Sequence, residues 1–178
     1  MPPVNGKTYT KAEIETLLVA LERQTKRARK MAEDAIERIT HSAFEPYYEY
    51  RQALTEIEGV LVLIEDRMQH AEPGVLAQLK DYHSQLIIDL LRMKIDVVLQ
   101  VFPALEVTNA LPIGVQQVFL ATIWELKETV ERIDCEHIEG VLDNDARKRL
   151  TVAENILREV SERAPALMEL AEQQAKIA

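Results

Sequence analysis

The stretch Gly74 to Phe102, GVLAQLKDYHSQLIIDLLRMKIDVVLQVF, is the most apolar run of the chain. Its apolar residues recur as Leu76, Leu79, Leu86, Leu90, Met93 and Val97. Spacings that reduce to three and four residues define one face of an α-helix. A second row, Ile87, Leu91, Ile95 and Val98, runs beside the first. The polar remainder (Gln78, Asp81, Gln85, Asp89, Arg92, Asp96) falls in one narrow stripe. A helix so apolar, with so thin a wet edge, belongs near the middle of a bundle. A membrane span is excluded, because Asp89, Arg92, Lys94 and Asp96 lie inside it. Each would cost about 2.5 kcal/mol or more at a bilayer centre.

The segments around this helix supply matching faces. Thr10 with Glu13 reads as a capping box, and Tyr9 with Ile14 as a hydrophobic staple. A first helix to about His41 carries Ile14, Leu18, Leu21, Thr25, Ala28, Ala32, Ala35 and Ile39. That alternation of four and three is a coiled-coil-like seam, and its alanines allow close approach. Pro46 opens a second helix to about His70, with Tyr47, Tyr50, Leu54, Ile57, Leu61, Ile64 and Met68 on the seam and Val60 and Leu63 widening it. Glu72-Pro73-Gly74 is a break, and Pro103 is expected to end the central helix. Residues 102–112, FPALEVTNALP, then read as an apolar connecting loop. Pro112 opens a fourth helix to about Glu139, with Gly140 as its C-cap region. Asp143-Asn144-Asp145 starts a fifth, which Pro165 should kink or break.

The predicted fold is therefore all-α. It is an up-and-down antiparallel bundle of five long helices, with residues 165–178 able to form a separate sixth. Residues 1–178 make one domain, and residues 1–8 a flexible lead. The 178-residue length and 47% apolar content are enough for one core.

Thirty acidic residues against 21 basic give a formal net charge of −9. This weighs against nucleic acid, which needs a basic footprint. Cys135 is the only cysteine, so an intrachain disulfide and a cysteine-based zinc site are not expected. The polar N-terminus, MPPVNGKTYTK, has no signal-peptide core. A reducing, cytoplasmic setting is the expectation.

Candidate chemistry is sparse. Asp134-x-x-His137 and Asp66 with His70 are the nearest approaches to metal-ligand spacing, and both sit at helix ends among charges. Glu125, Glu128, Glu131 and Asp134 step by three along one helix. Each step drifts by about 60°, so the carboxylates fan out instead of converging on magnesium. They read as a solvated charged face. His41, five residues before Pro46, lacks the acidic neighbour of a phosphotransfer histidine, with Ser42 in its place, and no nucleotide-binding domain follows. No nucleophile with a base and no phosphate loop is present, so no catalytic residue, metal or cofactor is assigned.

Two constellations remain as candidate sites. Polar groups of the central helix form the first: His83 on the seam between Leu79 and Leu86, and the ladder Asp89, Arg92, Asp96, in which Arg92 can reach both carboxylates. The second is a cationic face, Arg23, Lys26, Arg27 and Lys30, with Arg29 nearby. Five positive charges in eight residues are conspicuous on an acidic chain, and they suit an acidic partner or a phosphorylated ligand. Together these features lead us to expect a non-enzymatic bundle acting through protein contacts, as an adaptor, regulatory or assembly subunit. It is expected to self-associate, with a symmetric dimer the simplest homo-oligomer. The alternative is a ligand-binding bundle or helical enzyme with a polar site in its core.

Overall fold

The computed structural model describes residues 8–107, 112–135 and 142–175. They form six helices: α1 (Lys11–Thr40), α2 (Glu45–Gln69), α3 (Val75–Val107), α4 (Pro112–Cys135), α5 (Asn144–Arg163) and α6 (Pro165–Ala175). Among the described residues no strand forms, and an isolated bridge joins Tyr9 to Ala71. No described helix is long and apolar enough to cross a membrane.

Local sequence fixes the ends. Thr10 Oγ1 accepts from Glu13 N at 3.3 Å while Glu13 Oε2 accepts from Thr10 N at 2.9 Å, the reciprocal capping box. α1 closes with Ala43 N on Arg38 O and Ser42 N on Ile39 O, and Ser42 takes the left-handed φ of 63° that such a cap requires. Gly74 provides φ 85° at the turn into α3. Asp143 caps α5 by accepting from Ala146 N at 2.8 Å. Pro165 has no N–H to continue α5, so the chain breaks at Ala164 and restarts as α6.

α1 to α4 alternate in direction. The start of α1 is tied to the end of α2 by Tyr9 N donating to His70 O and Glu72 N to Tyr9 O, both 3.0 Å. α1 packs closely on α2 and α3, and α3 packs on α4. The sequence of neighbours around the bundle is α1, α2, α4, α3. The α2 and α4 backbones stand apart, and side chains bridge between them. α5 lies on α3 and α4, and α6 on α4 and α5. Every predicted seam residue of α1 and α2 is buried. The alanines Ala28, Ala32 and Ala35 of α1 are buried. Leu90, Leu91 and Met93 of α3 are each 1% exposed, as expected of a central helix.

Several expectations need correction. α3 does not end at Pro103 but runs through it to Val107. The ring is exposed, while Val101, Ala104 and Leu105 beside it are buried. Their burial offsets a proline penalty of about 3 kcal/mol. Most of the predicted loop is thus helix, and only residues 108–111 between α3 and α4 lie outside the described residues. Leu76 is 50% exposed, because the α3 face begins at Val75 and Leu79 instead. Leu63 is 40% exposed and does not widen the α2 seam. The lead at 1–7, the α4 end near Glu139, Gly140 and the last three residues fall outside the described chain.

Candidate functional site

A buried charge network ties α2, α3 and α4 together. Lys94 and Glu125 are each only 4% exposed. Desolvating one such ion costs several kcal/mol, so each must find partners. Lys94 Nζ lies 2.6 Å from Glu125 Oε1, an ion pair by distance though not an aligned hydrogen bond. It also donates to Glu58 Oε1 at 2.9 Å. Arg51 Nη1 donates to Glu125 Oε2 at 2.6 Å and to Ala121 O at 3.2 Å. Two cations meet two carboxylates, so the group is neutral overall.

Threonines continue the polar row along α4. Thr122 Oγ1 donates to Val118 O at 2.7 Å and therefore accepts from the Tyr47 hydroxyl, 2.8 Å away. Thr129 Oγ1 donates to Glu125 O at 2.7 Å. Burial pushes the Tyr47 and Tyr50 hydroxyls above the usual phenol range. The expectation of a solvated Glu125 was wrong. Drift by steps of three does scatter the four carboxylates, but it turns Glu125 inward. The overlooked signal is the row Val118, Thr122, Glu125, Thr129, Ile133, a seam with polar members. Lys94, flanked by Leu91, Ile95 and Val98, carried the matching signal on α3.

Over this network the gap between α2 and α4 opens as a groove of about 470 Å³. Its walls carry Glu58 and Glu65 from α2 and Glu128 and Glu131 from α4, with Lys94 at the floor. Arg132 Nη2 crosses it to Glu65 Oε1 at 3.4 Å. Val62, 67% exposed, lies in its lining.

The cationic face of α1 lies opposite its buried seam. Arg23, Lys26, Arg27 and Lys30 are all exposed. Lys26 is paired with Glu22, whose other oxygen accepts from the Tyr82 hydroxyl at 2.8 Å. The bonds from Lys26 and then Tyr82 hold the Glu22 carboxyl below its ordinary range. Among the described residues Arg23, Arg27 and Lys30 have no ion pair. Lys26, Arg29 and Lys30 border an open groove toward α3, whereas Arg27 borders one toward α2. The four thus span a convex ridge rather than line one pocket.

Of the polar groups of α3, Arg92 and Asp96 line one small pocket with Asp145 and Arg149, while His83 and Asp89 lie outside it. His83, Asp89, Arg92 and Asp96 are all partly exposed, so they are not core residues. Asp89 accepts from Gln85 Nε2 at 3.1 Å. Arg92 turns to Asp143, 2.8 Å away, instead of bridging Asp89 and Asp96. Asp96 is taken by Arg149, which also holds Asp145 at 2.8 Å. The ladder is replaced by pairs that clamp α5 onto α3, a contact that spacing within α3 alone could not reveal. Among the described residues no His, Cys, Asp and Glu side chains cluster as metal ligands. His70 Nδ1 sits 3.7 Å from Asp66 Oδ1 at the end of α2, while His137 lies outside the described residues. Comparison of the chain with protein-family models, curated proteins and solved structures gives no match.

Proposed function

We propose that this chain is a non-enzymatic helical-bundle module that works through protein contacts, as an adaptor, regulatory or assembly subunit, and that it self-associates. A dimer is the smallest such homo-oligomer. The observation that carries this reading is the α1 ridge. On a chain of net charge −9, Arg23, Arg27 and Lys30 face solvent without a carboxylate among the described residues. By contrast Arg51, Lys94, Lys127, Arg132 and Arg149 each reach a carboxylate on another helix. Cations left over on a rigid convex helix suit an acidic protein surface and speed its encounter. The lone Cys135 agrees with a cytoplasmic setting.

A second reading, a ligand-binding bundle or helical enzyme, draws on the buried Lys94–Glu125 network beneath an open groove. Its charges satisfy one another, which favours a structural role and leaves protein contact as the stronger proposal. The experiment reverses Arg23, Lys26 and Lys30 to Glu and compares pull-downs from native lysate at low and moderate salt. Wild type should lose partners as salt rises, and the variant should lack them at both salts. A normally folded variant that keeps every wild-type partner removes the ridge from consideration.

A further inference from the structure

We infer that the α1 ridge of one copy docks into the α2–α4 groove of a second copy of this chain. The inference rests on the proposed protein-contact role and names the acidic surface that the ridge meets.

Charge, shape and length agree. Four carboxylates line the groove, Glu58, Glu65, Glu128 and Glu131, against the two cations Lys94 and Arg132. Lys94 takes Glu58, Arg132 takes Glu65 and Lys127 lies 3.9 Å from Glu131, so the four carboxylates still outnumber these three cations, and among the described residues Glu128 is the one left over. It is concave because the α2 and α4 backbones stand apart. The ridge is convex and cationic. Arg23 and Lys30 are seven residues apart, two helical turns, or about 10 Å. Glu58 and Glu65 are also seven apart on the α2 wall. Each surface adds one exposed valine, Val19 (57%) a turn before Arg23 and Val62 (67%) between Glu58 and Glu65. Burying both would supply an apolar contribution that salt does not screen.

The contact cannot form within one molecule. α1 borders α2 and α3, and the groove lies on the far side of α2, so the ridge points away from its own groove. Ridge and groove face different sides of the bundle, so two copies cannot make both contacts at once and the contact is heterologous. A pair joined by one such contact keeps one ridge and one groove open, and assembly continues head to tail. This differs from the symmetric dimer expected as the commonest closed assembly.

The test is complementation, read as mass by light scattering on intact chains over a concentration series at low and high salt. One variant carries Arg23→Glu, Arg27→Glu and Lys30→Glu. The other carries Glu128→Lys and Glu131→Lys, which leaves Glu58 and Glu65 on their internal partners. Circular dichroism checks folding, and Arg23→Gln with Lys30→Gln replaces the first variant if it does not fold. Wild type should exceed the monomer mass of 20.3 kDa at low salt and fall toward it at high salt. Each variant alone should stay monomeric, and an equimolar mixture should associate, since intact ridge then meets intact groove. If wild type associates but either variant still does, or if the mixture stays monomeric, this docking is overturned while self-association by another surface stands. If wild type is monomeric throughout, both the docking and the self-association are overturned, and the ridge's affinity for other acidic partners is judged by the pull-down alone.

Discussion

At the residue scale, Glu125 is the side chain on which the bundle's interior depends. It is the only group that touches both Arg51 and Lys94 in the network. Glu125→Ala should cost about 3–5 kcal/mol, because two cations are left without their buried partner. Replacing Lys94 and Glu125 together by Met should cost far less than the two single changes added, since the desolvation penalty leaves with both charges. Urea titrations of the three variants give the comparison, and an additive double variant would contradict the network. A charged residue is assigned to solvent by default, and Glu125 departs from the default only because Lys94 and Arg51 arrive from other helices. Helical spacing shows which residues share a face on one helix. It does not show which faces meet.

At the element scale, the same limit separates what was legible from what was not. The seams of α1 and α2 were readable residue by residue, since alternating steps of three and four on a single helix determine its buried face. Caps at Thr10 and Asp143 were readable because they are local. Pro103 was misread because its penalty is local while its compensation, burial of Ala104 and Leu105, is tertiary. Pro103→Ala should therefore stabilise the protein by about 1–3 kcal/mol, the helix penalty less the entropy regained by the unfolded chain. A higher urea midpoint at unchanged slope is the expected signature. The cap of α5 adds a pH dependence. The Ala146 N–H, and beyond it Arg92, hold the Asp143 carboxyl below its ordinary range. Its stabilisation is complete above the unfolded carboxylate value of about 3.9 and is lost as pH falls through the folded value. Asp143→Asn keeps an acceptor for Ala146 but no charge, so its urea midpoint should fall less steeply than that of wild type as pH drops from neutral into this acid range.

At the scale of the whole molecule, the bundle is not equally well joined throughout. α1 to α5 share one continuous core. α6 is held mainly through a smaller cluster, in which Leu120 and Ile123 of α4 close over Ala171, and by Lys127 reaching Glu172. It hangs from the rest by Ala164 and Pro165. An 11-residue helix has little stability of its own once its contacts are gone. Release of α6 should come before the rest unfolds. The chain's single tryptophan, Trp124, packs against this cluster with Lys127 Nζ 5.1 Å from its ring centroid. Trp124 is thus a built-in optical reporter for the one helix that detaches first. Its emission should change at a lower urea concentration than far-ultraviolet circular dichroism, and coincident curves would show α6 melting with the core. Two probes on one sample would then return two midpoints, and the lower one would time the departure of the C-terminal helix.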